Sequence, residues 1–189
     1  MGDVHLLSAE GSLRLQRSEP GPDAPQKRVQ TIYEAELDHL LALCTFLVGG
    51  RTAGEDLAQS VFAEALQRER SEPGYLRDPV WPWLRAVAVR LASRQRARIR
   101  GELGRLRLLA RNVPDVPWDR QTVDVMRALR RLPPRMRTCT VLAYFEDQST
   151  EVIAATLGCS RKTVENQLRE SRHRLRGFIG AGYGDAGDE

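Results

Sequence analysis

Lysine is nearly missing from this chain: of 29 basic residues, all but Lys27 and Lys162 are arginine. Arginine is the cation that suits phosphate and guanine recognition, because its planar fork donates two parallel hydrogen bonds. Cysteine is scarce too. Cys44, Cys139 and Cys159 are odd in number and far apart, with no Cys-x-x-Cys or His/Cys spacing. That excludes a disulfide framework and a structural zinc site, so no metal is expected and the thiols read as incidental in a reducing compartment. His5, His39 and His173 are scattered. With no Ser/His/Asp set, paired acids in a defined frame or phosphate loop, the chain reads as no enzyme and implies no cofactor. Long apolar runs are absent: Leu40 to Val48 is the most apolar stretch and is too short to span a bilayer. No basic start leads into a hydrophobic run, so the expected location is the cytoplasm. Alternating strand patterns and internal repeats are missing as well.

What is present is helical spacing. Residues 1–27 contain SEPGPDAP and little periodicity, and read as a flexible extension. From about Val29, TIYEAELDHLLALCTFLV places Ile32, Leu37, Leu40, Leu41, Cys44 and Leu47 on one helical face, up to Gly49-Gly50. Thr52 with Glu55 three residues later predicts a capping box for a second helix, with Leu57, Val61, Phe62 and Leu66 inward. SEPGYLRDP breaks it. A third helix, about Trp81 to Arg100, turns Trp83, Leu84, Val87, Leu91 and Ile99 inward. GELGRLRLLARNVPDVPWDR, with two glycines and two prolines, reads as a linker. Helical pattern resumes at Thr122, and Pro133-Pro134 can open a further helix. The fold class is therefore all-α: two small helical domains joined by a flexible linker. The divisions are 1–27, 28–100, 101–121, 122–178 and a flexible tail at 179–189.

Glu151 to Leu175 raises the functional question. Ala154, Gly158 and Val164 have the spacing of a helix-turn-helix: a small residue at the helix approach, one tolerant of left-handed backbone, and an apolar lock. Ile153 and Leu157 face inward on the first helix. Ser160 is placed to cap the second, and Val164, Leu168, Ser171 and Leu175 form its inner stripe. The other face carries Arg161, Lys162, Glu165, Asn166, Arg169 and His173, side chains that can meet base edges and phosphates. From Arg161 to Arg176 six Lys/Arg stand against two Glu. Charge alone favours a solvated basic helix in a bundle; with the Ala/Gly/Val spacing included, DNA binding is favoured. A second basic zone, Arg90 to Arg111, holds eight Arg and one Glu. Following WPWLRAVAV, it puts rings beside positive charge, the combination that holds unpaired bases. Trp83 fits the inner stripe as a core residue, while Trp81, between Pro79 and Pro82, fits either role.

EDLAQSVFAEAL, WPWLRAVAVRLASRQRAR, and LRRLPPRMRTCTVLAYFEDQSTEVIAATLGCSRKTVENQLRESRHRLR occur in that order. Together they resemble an extracytoplasmic-function (ECF) sigma factor of the sigma-70 family, over about Val29 to Gly177. The resemblance implies a first domain that binds polymerase clamp helices and reads and melts the minus-ten element. It implies a second domain that docks on the flap and reads the minus-thirty-five element through the helix after Ser160. By position, Asp56 and Gln59 would face polymerase, and Leu57 and Phe62 would be core. Tyr75 and Trp81 would hold a flipped base, and Arg90, Arg94, Arg96 and Arg98 would meet promoter DNA. The expected partners are bacterial RNA polymerase core, promoter DNA and an anti-sigma factor. Three departures stand out. Arg90 replaces the family's Asn, Ser60 replaces an acidic residue, and Glu165 and Glu170 add carboxylates to the recognition helix. The competing reading is a stand-alone, LuxR-like helix-turn-helix regulator whose first domain senses a ligand or dimerises.

Overall fold

The computed structural model describes residues 23–102 and 120–183, with side chains over 23–94 and 123–178. Its order is α1 (Ala24–Val48), α2 (Arg51–Ser71), α3 (Trp81–Glu102), α4 (Arg120–Arg131), α5 (Pro134–Tyr144), α6 (Thr150–Leu157) and α7 (Arg161–Tyr183). No strand occurs among the described residues. The expected extension reached residue 27, but α1 already starts at Ala24. Pro25 sits in its first turn, where the fixed φ suits a helix and no amide proton is required. The linker and both terminal extensions lie mostly outside the described residues.

α1 ends because Gly49 takes the left-handed conformation, φ 80°, and its N–H returns to the Thr45 carbonyl. Gly50 is extended and opens α2 without a side-chain cap. The Thr52–Glu55 capping box does not form. The helix begins at Arg51, one residue before Thr52, and Arg51 Nε donates instead to Glu55 Oε1 at 2.6 Å. α1 and α2 form an antiparallel hairpin, and α3 packs across both. Leu40, Leu43, Cys44, Leu47, Val61, Ala65, Leu84, Ala88 and Ala92 are wholly buried. Trp83, Leu91, Leu37, Leu41 and Leu66 line the core only partly. The side chain of Ile99 lies outside the description.

The 72–80 loop is shaped by a buried acid the sequence did not single out. Glu69 accepts from the Gly74 amide at 2.7 Å and the Leu76 amide at 3.0 Å. From outside, Arg28 donates to the Leu76 carbonyl at 3.1 Å and to Asp78 at 2.9 Å.

In the second unit α7 packs on α4, α5 and α6. Pro133 and Pro134 open α5 as expected. Arg137, nearly buried, donates to the carbonyls of Leu129, Arg130 and Leu132 at 2.9, 3.0 and 3.3 Å. These are C-terminal carbonyls of α4 and the residue beyond it, left without partners in the helix itself. α5 also packs on α1, so one apolar cluster runs from Val29 through Leu168.

Candidate nucleic-acid interface

Local capping builds the α6–α7 turn. Ser149 Oγ accepts from the Val152 amide at 3.4 Å and opens α6. Gly158 is left-handed, φ 60°, and the Cys159 amide closes on the Ala154 carbonyl at 3.0 Å. Ser160 Oγ then accepts from the Thr163 amide at 3.2 Å, the expected cap of α7. Val164, Leu168 and Ser171 are buried, with Leu175 partly so. Ser171 loses no hydrogen bond by burial, because its hydroxyl donates to the Leu168 carbonyl at 2.9 Å.

That packing turns the opposite face outward. Arg161, Lys162, Glu165, Asn166, Arg169 and His173 are all exposed. A shallow groove of about 700 Å³ is lined by the first five and by Arg172. His173 does not line it; Arg172, which the sequence reading passed over, takes that place. The face is internally paired. Arg161 meets Glu151 of α6 at 2.8 Å and Glu165 at 2.7 Å, and Arg169 donates to Asn166 Oδ1 at 3.1 Å. The Glu165 hydrogen bond, with Glu151 beside it, raises the Arg161 pKa further. Glu151 is lowered, first by a backbone hydrogen bond in the opening turn of α6 and then by Ser149, with a smaller contribution from Arg161. Glu170 is engaged by Arg174 at 2.8 Å. Both negative charges on this helix are thus matched locally, leaving Lys162, Arg169, Arg172 and Arg176 to set the field.

The first unit separates residues that the sequence had grouped. Tyr75 and Trp83 meet edge to face at 6.1 Å, with the Arg68 guanidinium 5.5 Å from the Tyr75 ring centre. They line a cleft of about 1090 Å³ together with Arg90, Arg94 and Arg135. Arg90 is ion-paired with Glu64 across α2 and α3. Trp81 lies elsewhere, stacked on His39 with ring centres 3.8 Å apart and planes 12° from parallel. The two residues expected to hold one flipped base therefore occupy different places. Arg94 is exposed, and the side chains of Arg96 and Arg98 lie outside the description. On the outer face of α2, Asp56 and Gln59 are exposed while Leu57 and Phe62 are buried beneath them.

Among the described residues no group of His, Cys, Asp or Glu could hold a metal ion. The three cysteines are free. Burial pushes the Cys44 thiol up to about 12 and the Cys139 thiol up to about 11. No described helix is long and apolar enough to cross a membrane.

Comparison with known proteins converges on one family. The profile of "Sigma-70, region 4" matches residues 122–175. An RNA polymerase sigma-E factor of Streptomyces coelicolor is 33% identical over 147 residues, covering 74% of this chain and 78% of the relative. The chain belongs to the sigma-70 family. An ECF RNA polymerase sigma factor, SigE of Mycolicibacterium smegmatis, is 29% identical over 168 residues, placing the chain in the ECF group. That match covers 84% of this chain and 64% of the length of SigE. Among solved structures, the sigma factor RpoE of Bartonella quintana, crystallised with the anti-sigma factor NepR, superposes with a TM-score of 0.64. It is 22% identical, covers 82% of this chain and 98% of its own, and shows a shared fold. The likeness to the Streptomyces relative runs over more residues than 122–189 can supply, so this sigma-70 family chain resembles its relatives in the first unit too.

Proposed function

We propose that this ECF-group chain is a promoter-specificity subunit of bacterial RNA polymerase. One observation carries the reading: the family likeness extends through both helical units, whereas a stand-alone regulator needs only the helix-turn-helix. The proposed activity is binding, with no catalytic step. Residues 28–100 act as the polymerase-binding and minus-ten unit and 122–178 as the minus-thirty-five unit, with 101–121 between them.

The outer face of α7 enters the major groove of the minus-thirty-five element. Arg169 and Lys162 reach base edges and phosphates, and Glu165 and Asn166 are placed for cytosine and adenine edges. The cleft around Tyr75 and Trp83 takes an unpaired base by stacking, while Arg68, Arg90 and Arg94 follow the backbone. Asp56 and Gln59, exposed on a helix whose inner face is fixed, present polar groups to the polymerase clamp. An anti-sigma factor is a fitting partner, since the Bartonella neighbour was crystallised with one. The cytoplasm is the matching location.

Run-off transcription tests this. Core polymerase, a template bearing promoters found by mapping start sites after overexpression, and this protein should give specific transcripts absent with core alone. Operator binding with no polymerase-dependent initiation would instead favour the stand-alone regulator.

A further inference from the structure

Glu146 sits in the turn between α5 and α6, flanked by exposed Phe145 and Asp147, yet its own side chain is only 1% exposed. Its cover comes from the other helical unit. Trp81 Nε1 donates to Oε2 at 2.8 Å, and Arg85 reaches the same oxygen at 3.4 Å. His39 Nε2 lies 3.1 Å from Oε1, without the alignment of a hydrogen bond. The Phe145 ring meets Phe46 at 4.8 Å and His39 at 5.7 Å, both edge-on.

This is a specific arrangement of groups. A stacked pair of rings, an indole N–H and a guanidinium converge on one carboxylate. Rings to stack on, a donor and a cation are also what an unpaired nucleotide with its phosphate requires. A buried carboxylate is tolerated only with such partners, because desolvation otherwise opposes it.

We propose that the α5–α6 turn, residues 145–148, is an intramolecular occupant of the Trp81 surface and competes there with single-stranded promoter DNA. The inference rests on the function proposed above and adds its regulation. Glu146 stands where a DNA phosphate would lie, and Phe145 covers the adjoining ring. The contact is small: one carboxylate with one oxygen left unaligned, and one ring edge. It can therefore be displaced by a ligand that binds the open form better. The closed form partly covers Trp81 and bounds the Tyr75–Trp83 cleft on one side with Pro134, Arg135 and Thr138 of α5. Binding of DNA at both places requires the two helical units to part at α1 and α5.

Two full-length variants with Cys159→Ser test this by opposite perturbations that leave net charge unchanged. Phe145→Ser removes the ring contact. Phe46→Cys with Phe145→Cys, replacing rings that meet at 4.8 Å, takes a bis-maleimide tether with an internal disulfide that holds the turn down, and reductant releases it in the same molecules. The probe is a fluorescein-labelled, mixed-sequence single-stranded DNA of about fifteen nucleotides, a length suited to one binding groove. Phe145→Ser should expand the protein in small-angle scattering and tighten binding about tenfold, as raising a minor competent state does. The locked form should bind about tenfold more weakly than its reduced counterpart, for the same reason. Equal affinity of the locked and reduced forms, or expansion without tighter binding, would each overturn the proposal. Run-off transcription with the unaltered protein judges the parent reading separately, since it does not depend on the lock.

Discussion

Gly54 lies in the first turns of α2 where that helix crosses α1. A Cβ built there would come 2.4 Å from Thr45 Oγ1, 2.7 Å from Thr45 Cα and 2.8 Å from Thr45 N. Two effects oppose each other in Gly54→Ala. Helix propensity favours alanine by about 1 kcal/mol. Overpacking costs about 1–3 kcal/mol, and more toward the upper end when the obstacle is backbone, which cannot rotate away. Packing should win, with a net loss of about 1–2 kcal/mol from the difference between these terms. In a protein of this size that corresponds to a fall in Tm of roughly 2–8 °C. Thr45→Ala in the same chain separates the contributions. Thr45 Oγ1 is buried without a partner, so Thr45→Ala by itself costs chiefly one buried methyl, about 1 kcal/mol, and relieves only the side-chain clash. The double variant should therefore recover a minor part of the loss. Urea unfolding of the three variants gives the cycle. A Gly54→Ala protein as stable as the parent, or full recovery in the double variant, would refute the argument that backbone contact sets the helix crossing.

Further outcomes follow from the described contacts. Arg169→Ala should lower minus-thirty-five-dependent transcription by about 5- to 150-fold, the scale of about 1–3 kcal/mol for a base contact, with an unchanged circular dichroism melt. Arg137→Lys gathers its donors on one atom and cannot reach from the separated Nε and Nη2 positions that serve Leu129, Arg130 and Leu132, and should lose about 1–3 kcal/mol of unfolding free energy in urea. Glu64→Ala frees Arg90, and selection from a minus-ten library should then show altered base preference and a steeper salt dependence than the parent. The thiols of Cys44 and Cys139 have folded pKa values above their ordinary 9.0, at about 12 and 11. Their contribution is fully present below pH 9.0 and is lost as pH rises toward those values, because the unfolded chain releases protons that the folded chain keeps. Thermal melts should therefore fall through that alkaline range, and iodoacetamide at pH 8 should leave both cysteines unmodified in the native protein by mass spectrometry.

The order of helices and the helix-turn-helix were legible because their signals are local. Gly49, Gly158, Pro134 and Ser160 each act within four residues, and the Val164–Leu168–Ser171 stripe follows from helical period alone. The start of α2 was misjudged because Thr52–Glu55 and Arg51–Glu55 are both local solutions, and the one beginning at Gly50 prevailed. The buried charges were illegible for a different reason. Glu146 finds Trp81 and Arg85 at separations of 65 and 61 residues, and nothing in AYFEDQS announces a carboxylate that will be covered. The division of Trp81 from Tyr75 was hidden likewise, since adjacency along a loop says nothing about which helix each ring will meet.

The acid beneath the 72–80 loop has one more effect. By gripping two amides, Glu69 fixes the loop's course, so that under the proposed function Tyr75 is already positioned when a strand arrives. Conformational entropy that a slack loop would lose at the moment of capture has already been spent. On that reading, replacing the buried acid should weaken capture of melted DNA by loosening the loop.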